Sequence, residues 1–316
     1  MENKKILIIG GTGALGKTLI QRYHKTNNIL VFSRDEHKHV NLQNEYKNLS
    51  FQIGNIKEKS TLEKALKEFR PHVVINTAAL KHVPICESNT YESVKTNIIG
   101  NNNVIDSIRM HGDMVETLIF VSTDKACKPI NIYGMCKAIS ERLYIDFANK
   151  QDKIKVCLVR YGNVLESTGS VIPYFKKLLK EGTTYLPITD VRMTRFLLSL
   201  DQAVDLIEWA YKNNNSHGKI AIPRVKSFKI TSIAKSLIKW HNSLEPQTLK
   251  EVGIRPGEKL HEEMISTEEW MRTYSNEENF LIGNDIISSE GESYSSHNSI
   301  MGDEETYNFL SKNGVI

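Results

Sequence analysis

The chain of 316 residues is 40% hydrophobic and 25% charged, which excludes a disordered, collagen-like or disulfide-scaffold protein and leaves room for a large α/β unit with a smaller lobe. Forty-one basic and 37 acidic residues give a net charge of +4. No long block of like charges occurs, so no nucleic-acid footprint is indicated, while an anionic small substrate is suited.

The N-terminal stretch MENKKILIIGG has an apolar run too short for a signal-peptide core, and nowhere does an apolar run reach the about 18 residues of a membrane span. Cys86, Cys127, Cys136 and Cys157 lack CxxC pairing and read as free thiols of a reducing, cytoplasmic setting. Apolar runs at 5–9, 29–32, 50–53, 72–76, 117–121 and 155–160 read as strands, and the longer amphipathic stretches between them as helices. Short, continuously apolar strands separated by helices predict a doubly wound parallel Rossmann-type sheet covered on both faces. After about residue 161 the pattern loosens, with Pro173, Gly182, Pro187, Gly218, Pro223, Pro246 and Pro256 punctuating shorter elements. The expected division is therefore a dinucleotide-binding domain over 1–161, with some later segments returning to it, and a mainly substrate-binding lobe over 162–316.

Directly after the first strand, GGTGALG sets Gly10, Gly13 and Gly16 in GxxGxxG spacing. Glycines let the backbone turn tightly and approach a pyrophosphate, and the helix that follows offers free N–H groups. The second strand ends VFSRDE. A site reading NAD places an acidic residue against the ribose 2′-hydroxyl, whereas Ser33 and Arg34 stand there and suit a 2′-phosphate, so NADP is favoured. Arg34 could instead stack on adenine, and Asp35 could still turn to the ribose.

The strand LIFVS runs into Thr123, Asp124 and Lys125, and NIYGMCK follows with Tyr133 and Lys137 four apart. On a helix this spacing puts phenol and ammonium on one face, where Lys137 can lower the tyrosine pKa and hold a nicotinamide ribose.

With these residues the sequence resembles the extended short-chain dehydrogenase/reductase family, and within it the soluble UDP-N-acetylglucosamine 4,6-dehydratases that invert C5. The matching strings GGTGALGK, VFSRDE, TAALKHVP, KTNIIG, VSTDKACKPINIYGMCK, VRYGNV, PITDVRMTRF, IRPGEKLHEEM and YSSHN spread from residue 10 to 298 in the family's order. The resemblance implies a cofactor site of Gly10, Thr12, Gly13, Ala14, Leu15, Gly16, Ser33, Arg34, Asn55, Ile56, Ala78 and Ala79, completed by Tyr133 and Lys137. It also implies a catalytic set of Thr123, Asp124, Lys125, Tyr133 and Lys137.

Eliminating water across C5 and C6 requires one group to take the C5 proton and another to protonate the departing hydroxyl. Lys125 as base and Asp124 as acid fit that division. Lysine and aspartate are ordinarily in the wrong states at neutral pH, so burial and the cations Lys137 and oxidised nicotinamide are expected to pull Lys125 down, while burial raises Asp124 against those same cations, with help from its hydrogen bonds to substrate. Related dehydratases that retain C5 carry Asp-Glu at this place, and 4-epimerases carry no such pair.

The resemblance further assigns Lys81, Asn163, Arg195, Arg255 and Glu258 to the nucleotide sugar, with His82 read as a local hydrogen-bonding residue. The arginines suit bidentate bonds to a diphosphate, and Glu258 a ribose hydroxyl. Departures from the family pattern are Asn55 for an aspartate at the adenine, Met135 and Cys136 within YxxxK, and Glu166 for a glycine. No Cys/His/Asp/Glu spacing implies a metal. Extended members pair through long helices, so a homodimer or larger homo-oligomer through 92–110 and 132–149 is expected. The rival readings are a UDP-sugar 4-epimerase, a C5-retaining dehydratase and a silent NADP-binding sensor or scaffold.

Overall fold

The computed structural model describes residues 1–167, 169–242 and 247–316; Pro246, read above as punctuation, lies outside them. The first half alternates strand and helix as β1 (Lys5–Ile9), α1 (Ala14–Tyr23), β2 (Asn28–Ser33), α2 (Glu36–Glu45), β3 (Ser50–Ile53), α3 (Lys59–Phe69) and β4 (Val73–Asn76). It continues through α4 (Val83–Ser88), α5 (Thr90–Val94), a π-helical turn over Lys95–Ile99, α6 (Gly100–His111), β5 (Thr117–Val121), α7 (Ile132–Asn149) and β6 (Lys155–Val159). Strand β5, TLIFV, is buried along its whole length. Such a run has no polar alternation because helices cover both faces of the sheet.

After β6 come β7 (Asn163–Val164), α8 (Val171–Lys180), β8 (Tyr185–Ile188), β9 (Thr194–Leu198), α9 (Leu200–Lys212), β10 (Lys219–Pro223), β11 (Ser227–Lys229) and α10 (Ile230–His241). The remainder is β12 (Thr248–Glu251), β13 (Glu263–Ile265), α11 (Thr267–Trp270), β14 (Thr273–Ser275), β15 (Asn279–Ile282), β16 (Tyr294–Ser295), β17 (Ile300–Met301) and α12 (Asp303–Lys312).

Among the described residues the largest sheet has nine strands in the order β14-β15-β10-β6-β5-β4-β1-β2-β3. The run from β3 to β10 is parallel, and β15 and β14 close the far edge antiparallel. This is the doubly wound sheet expected, extended by strands from the second half. One face is packed by Leu62 and Leu66 of α3, Val104 and Ile108 of α6, and Tyr144 and Ala148 of α7. The other is packed by Leu19 and Ile20 of α1 and by Val204 and Ile207 of α9. A separate core joins α8, β8, α10 and α12 through Phe175, Leu186, Leu237 and Leu310, forming the smaller lobe.

The chain order reverses between β1 and β4, which lie side by side. Their carboxyl ends therefore open a crevice, the place where open α/β sheets bind ligands. No helix among the described residues is long and apolar enough to cross a membrane.

Candidate active site

The crevice begins with the glycine loop. Gly10 holds φ +81°, a conformation in which a side chain is strained. At Gly16 an added Cβ would stand 2.4 Å from the Gly11 carbonyl oxygen, so the first turn of α1 can close on the loop only without a side chain. Gly13 differs: a Cβ there would meet just the Gly10 oxygen, at 3.3 Å. The open space over Gly13, the side-chain-free N-cap of α1 and a first turn without acidic residues, beginning at Ala14 and Leu15, fit a dinucleotide pyrophosphate. Thr77 Oγ1 donates to the Ile9 carbonyl at 2.9 Å and ties the β1 and β4 ends together, which places partly buried Ala78 and Ala79 opposite the loop.

At the end of β2, Thr12 Oγ1 donates to Ser33 Oγ at 3.0 Å, and Ser33 Oγ also meets His39 Nε2 at 2.6 Å. Arg34 is exposed. Asp35 caps α2, accepting from Lys38 N at 3.1 Å, and its carboxyl is held below the ordinary range by hydrogen bonds from Lys38. Asn55 Oδ1 accepts from Lys57 N at 3.1 Å, and Ile56 is buried beneath α6.

The chemistry gathers where β5 ends. Asp124 N donates to the Tyr161 carbonyl at 2.9 Å, and Thr123 caps the short turn Asp124–Ala126. Asn131 Oδ1 caps α7 by accepting from Gly134 N at 2.7 Å, which sets Tyr133 in the first turn. A Cβ at Gly134 would strike the Lys125 carbonyl at 2.2 Å, so this glycine lets α7 start directly against the Asp124–Ala126 turn. Asp124 is fully buried. Its Oδ1 accepts from Thr123 Oγ1 at 2.9 Å and from Lys125 Nζ at 3.0 Å.

Burial pushes the Tyr133 phenol up to about 12; Lys125 and a hydrogen bond from Thr123 resist this, and Asp124 adds to it. Burial alone would lower Lys125, but Asp124 and Glu262 together outweigh it and hold the ammonium above its ordinary pKa. Burial draws Lys137 down to about 7, against the pull of Glu141. Its Nζ donates to the Val121 carbonyl at 2.5 Å and lies over the Phe120 ring. Two expectations are thus corrected. Lys125 rests charged because two carboxylates flank it, and the cation that eases Tyr133 ionisation is Lys125 rather than Lys137.

Around this centre, Lys81 is exposed at the crevice mouth, and nearby protein lowers its pKa by desolvation. The His82 ring lies against Gly169, where a Cβ would meet its Cε1 at 2.4 Å. Asn163 stands on β7 with its Oδ1 buried and unpartnered among the described residues. Arg195 is buried, its terminal nitrogens donating to the carbonyls of Thr194, Leu260 and Lys259 at 2.7, 3.2 and 2.9 Å. Exposed Arg255 lies 3.7 Å from Glu258 Oε1. Met135 is exposed and Cys136 buried. Glu166, where glycine is usual, adopts φ +53° and pairs with Lys176.

Sequence reasoning missed Glu262. Its carboxylate reaches to 3.4 Å from Lys125 Nζ and is 2% exposed. The one local sign was its place two residues before buried Met264, the spacing of residues on one face of a strand. Also missed was the clamp behind the site, where buried Arg160 binds Glu141 and Glu269 while Ser122 Oγ donates to Glu141 at 2.6 Å.

A protein-family model described as "Polysaccharide biosynthesis protein" matches residues 6–284. A Campylobacter jejuni protein named UDP-N-acetylglucosamine 4,6-dehydratase (inverting) is 43% identical over 298 residues, covering 90% of this chain and 85% of that protein. A Rickettsia bellii UDP-glucose 4-epimerase is 38% identical over 277 residues, covering 84% of this chain and 79% of that protein. The X-ray structure of Pen from Bacillus thuringiensis superposes with a TM-score of 0.91 at 30% identity, covering 100% of this chain and 99% of that one. The chain therefore belongs to the polysaccharide biosynthesis protein family, built on the extended short-chain dehydrogenase/reductase fold.

Proposed function

We propose that this chain is a UDP-N-acetylglucosamine 4,6-dehydratase that inverts C5, a hydro-lyase working with NADP. The observation that carries the reading is the pair of buried Asp124 and partly buried Lys125, joined at 3.0 Å beside Tyr133. A 4-epimerase needs only the tyrosine and the cofactor; a buried acid and amine next to it serve an elimination. The inverting dehydratase named for Campylobacter jejuni supports the same reading.

The glycine loop at Gly10, Gly13 and Gly16 would hold the dinucleotide, which when bound would supply hydride-transfer chemistry to the sugar. Tyr133 takes the C4 hydroxyl proton, and the ketone so formed acidifies C5–H. Lys125 removes that proton while Asp124 gives one to the C6 hydroxyl, which leaves as water. Lys125 then delivers a proton to C5 on the opposite face. Because Lys125 rests charged, its proton must pass to a neighbouring carboxylate before it can act as a base, and two stand near it, Asp124 at 3.0 Å and Glu262 at 3.4 Å. Lys137 holds the nicotinamide ribose.

NADP is preferred because Asp35 is engaged as the α2 cap, leaving exposed Arg34 to meet a 2′-phosphate. Lys81, Asn163, Arg195, Arg255 and Glu258 hold the nucleotide sugar, with Arg195 also fixing the segment that carries Glu262. Residues 1–161 form the cofactor domain and 162–316 chiefly the substrate lobe, α9, β10, β14 and β15 returning to the large sheet. The chain works in the cytoplasm, consistent with four free, buried thiols. It pairs through α5, α6 and α7, where Tyr91, Ile99, Met110, Met135 and Ile139 are exposed apolar residues.

The test is incubation with UDP-N-acetylglucosamine in deuterated water followed by NMR. A 6-deoxy-4-keto product with deuterium at inverted C5 is expected. Deuterium in the original C5 configuration, or a 4-epimer with no loss of water, would refute the reading.

A further inference from the structure

The dehydratase reading, on which this inference rests, needs Tyr133 and Lys125 each to accept a substrate proton. Both rest protonated, the phenol near a pKa of about 12 and the ammonium held by its carboxylate neighbours. Two protons must therefore be held elsewhere while the chemistry runs. Asp124 is one holder, linked directly to Lys125 and to Thr123, a neighbour that eases ionisation of the phenol.

A second carboxylate closes on Lys125 from a distant part of the chain. Glu262 Oε1 lies 3.4 Å from Lys125 Nζ and 4.0 Å from Arg195 Nε. Its backbone is pinned on both sides, with Glu262 N donating to Ser296 Oγ at 2.9 Å and Ser296 N donating to the Glu262 carbonyl at 2.8 Å. The side chain is 2% exposed, so the carboxylate is enclosed by protein beside Lys125. Glu262 Oε2 and Asp124 Oδ2 are both buried and unpartnered among the described residues. A buried carboxylate oxygen without a donor is costly, so each of these oxygens has a free place for a hydrogen-bonding partner.

We propose that Glu262 is a positioning and proton-holding residue for Lys125, storing the lysine proton during the elimination and returning it afterwards. At the start the Tyr133 proton passes through Thr123 to Asp124, and one Lys125 proton passes to Glu262. Tyr133 then receives the C4 hydroxyl proton and keeps it. Lys125 takes the C5 proton, and Asp124 gives its proton to the C6 oxygen as the C6–O bond breaks and water leaves. Lys125 next gives its proton to C5, and Glu262 returns the stored proton to Lys125. The substrate loses two protons and gains two, counting the one carried off in water, and the four side chains finish as they began with no net exchange with solvent.

The test compares Glu262→Gln, which keeps shape but cannot store a proton, with Glu262→Asp, which keeps a titrating carboxyl. For Glu262→Gln, kcat should fall about 100-fold, with KM, cofactor affinity and unfolding midpoint close to the parent. On mixing with substrate the variant should build up reduced nicotinamide absorbance, because C4 oxidation needs just Asp124 as holder while C5 abstraction needs the second. Glu262→Asp should recover at least about ten-fold of the loss. Near-parental kcat in Glu262→Gln, loss of C4 oxidation together with turnover, or no recovery in Glu262→Asp would each overturn the proposal. A parent enzyme that forms no 6-deoxy-4-keto product would overturn the dehydratase reading itself, a result seen before any variant is made.

Discussion

Replacing Lys125 with methionine removes the one cation that stands between Asp124, at 3.0 Å, and Glu262, at 3.4 Å. Two effects follow, and they separate by pH. The first is catalytic: loss of a general base lowers turnover by about 100-fold or more, or about 2.7 kcal/mol of barrier at about 1.4 kcal/mol per factor of ten. The second is structural. The remaining carboxylates are buried and lose their shared partner, Glu262 keeping the Arg195 guanidinium at 4.0 Å, and breaking such a pair costs about 3–5 kcal/mol. That cost falls where one carboxylate can be protonated. In the variant a carboxylate facing another has its folded pKa raised above the unfolded value of about 4. Its share of stability is then fully present below about pH 4 and lost as pH rises through the folded value. The deficit against the parent should therefore be large at pH 8 and shrink toward pH 5. Chemical unfolding at both pH values, with NMR-monitored turnover at a temperature where the variant is folded, measures both effects. Near-parental turnover, or a deficit independent of pH, would refute the assignment of Lys125 as a base held by two buried carboxylates.

Arg34→Asp should turn the cofactor preference from NADP toward NAD, by roughly 10- to 100-fold in the ratio of dissociation constants for one charge-assisted contact; equal binding of both cofactors by the parent would remove the argument. Gly13→Ala, whose Cβ meets just the Gly10 oxygen at 3.3 Å, should leave the unfolding midpoint nearly unchanged yet weaken dinucleotide binding in a fluorescence titration. Gly16→Ala, whose Cβ falls 2.4 Å from the Gly11 oxygen, should instead lose about 1–3 kcal/mol of stability through overpacking, and the reverse pattern would exclude the pyrophosphate from Gly13. Light scattering should give at least twice the chain mass, and a mass of 36.0 kDa at micromolar concentration would dispose of the proposed pairing through α5, α6 and α7.

Much of this protein was legible in its sequence because the relevant physics is local. Apolar runs such as TLIFV fix buried parallel strands, the glycine spacing fixes a loop that can close on itself, and the four-residue step from Tyr133 to Lys137 fixes a shared helix face. The Asp124–Lys125 pair was likewise visible, since both residues occupy one turn at a strand end. Charge state was not visible, because it depends on what arrives through space. Against the desolvation of burial, Asp124 and then Glu262, which reaches Lys125 from just before β13, together hold the ammonium protonated, while the Val121 carbonyl engages Lys137. The far edge of the large sheet was hidden for a similar reason. Strand β10 joins it beside β6, β15 pairs antiparallel to β10, and β14 antiparallel to β15, a placement that no short-range pattern encodes because β6, β10 and β15 lie far apart in the chain.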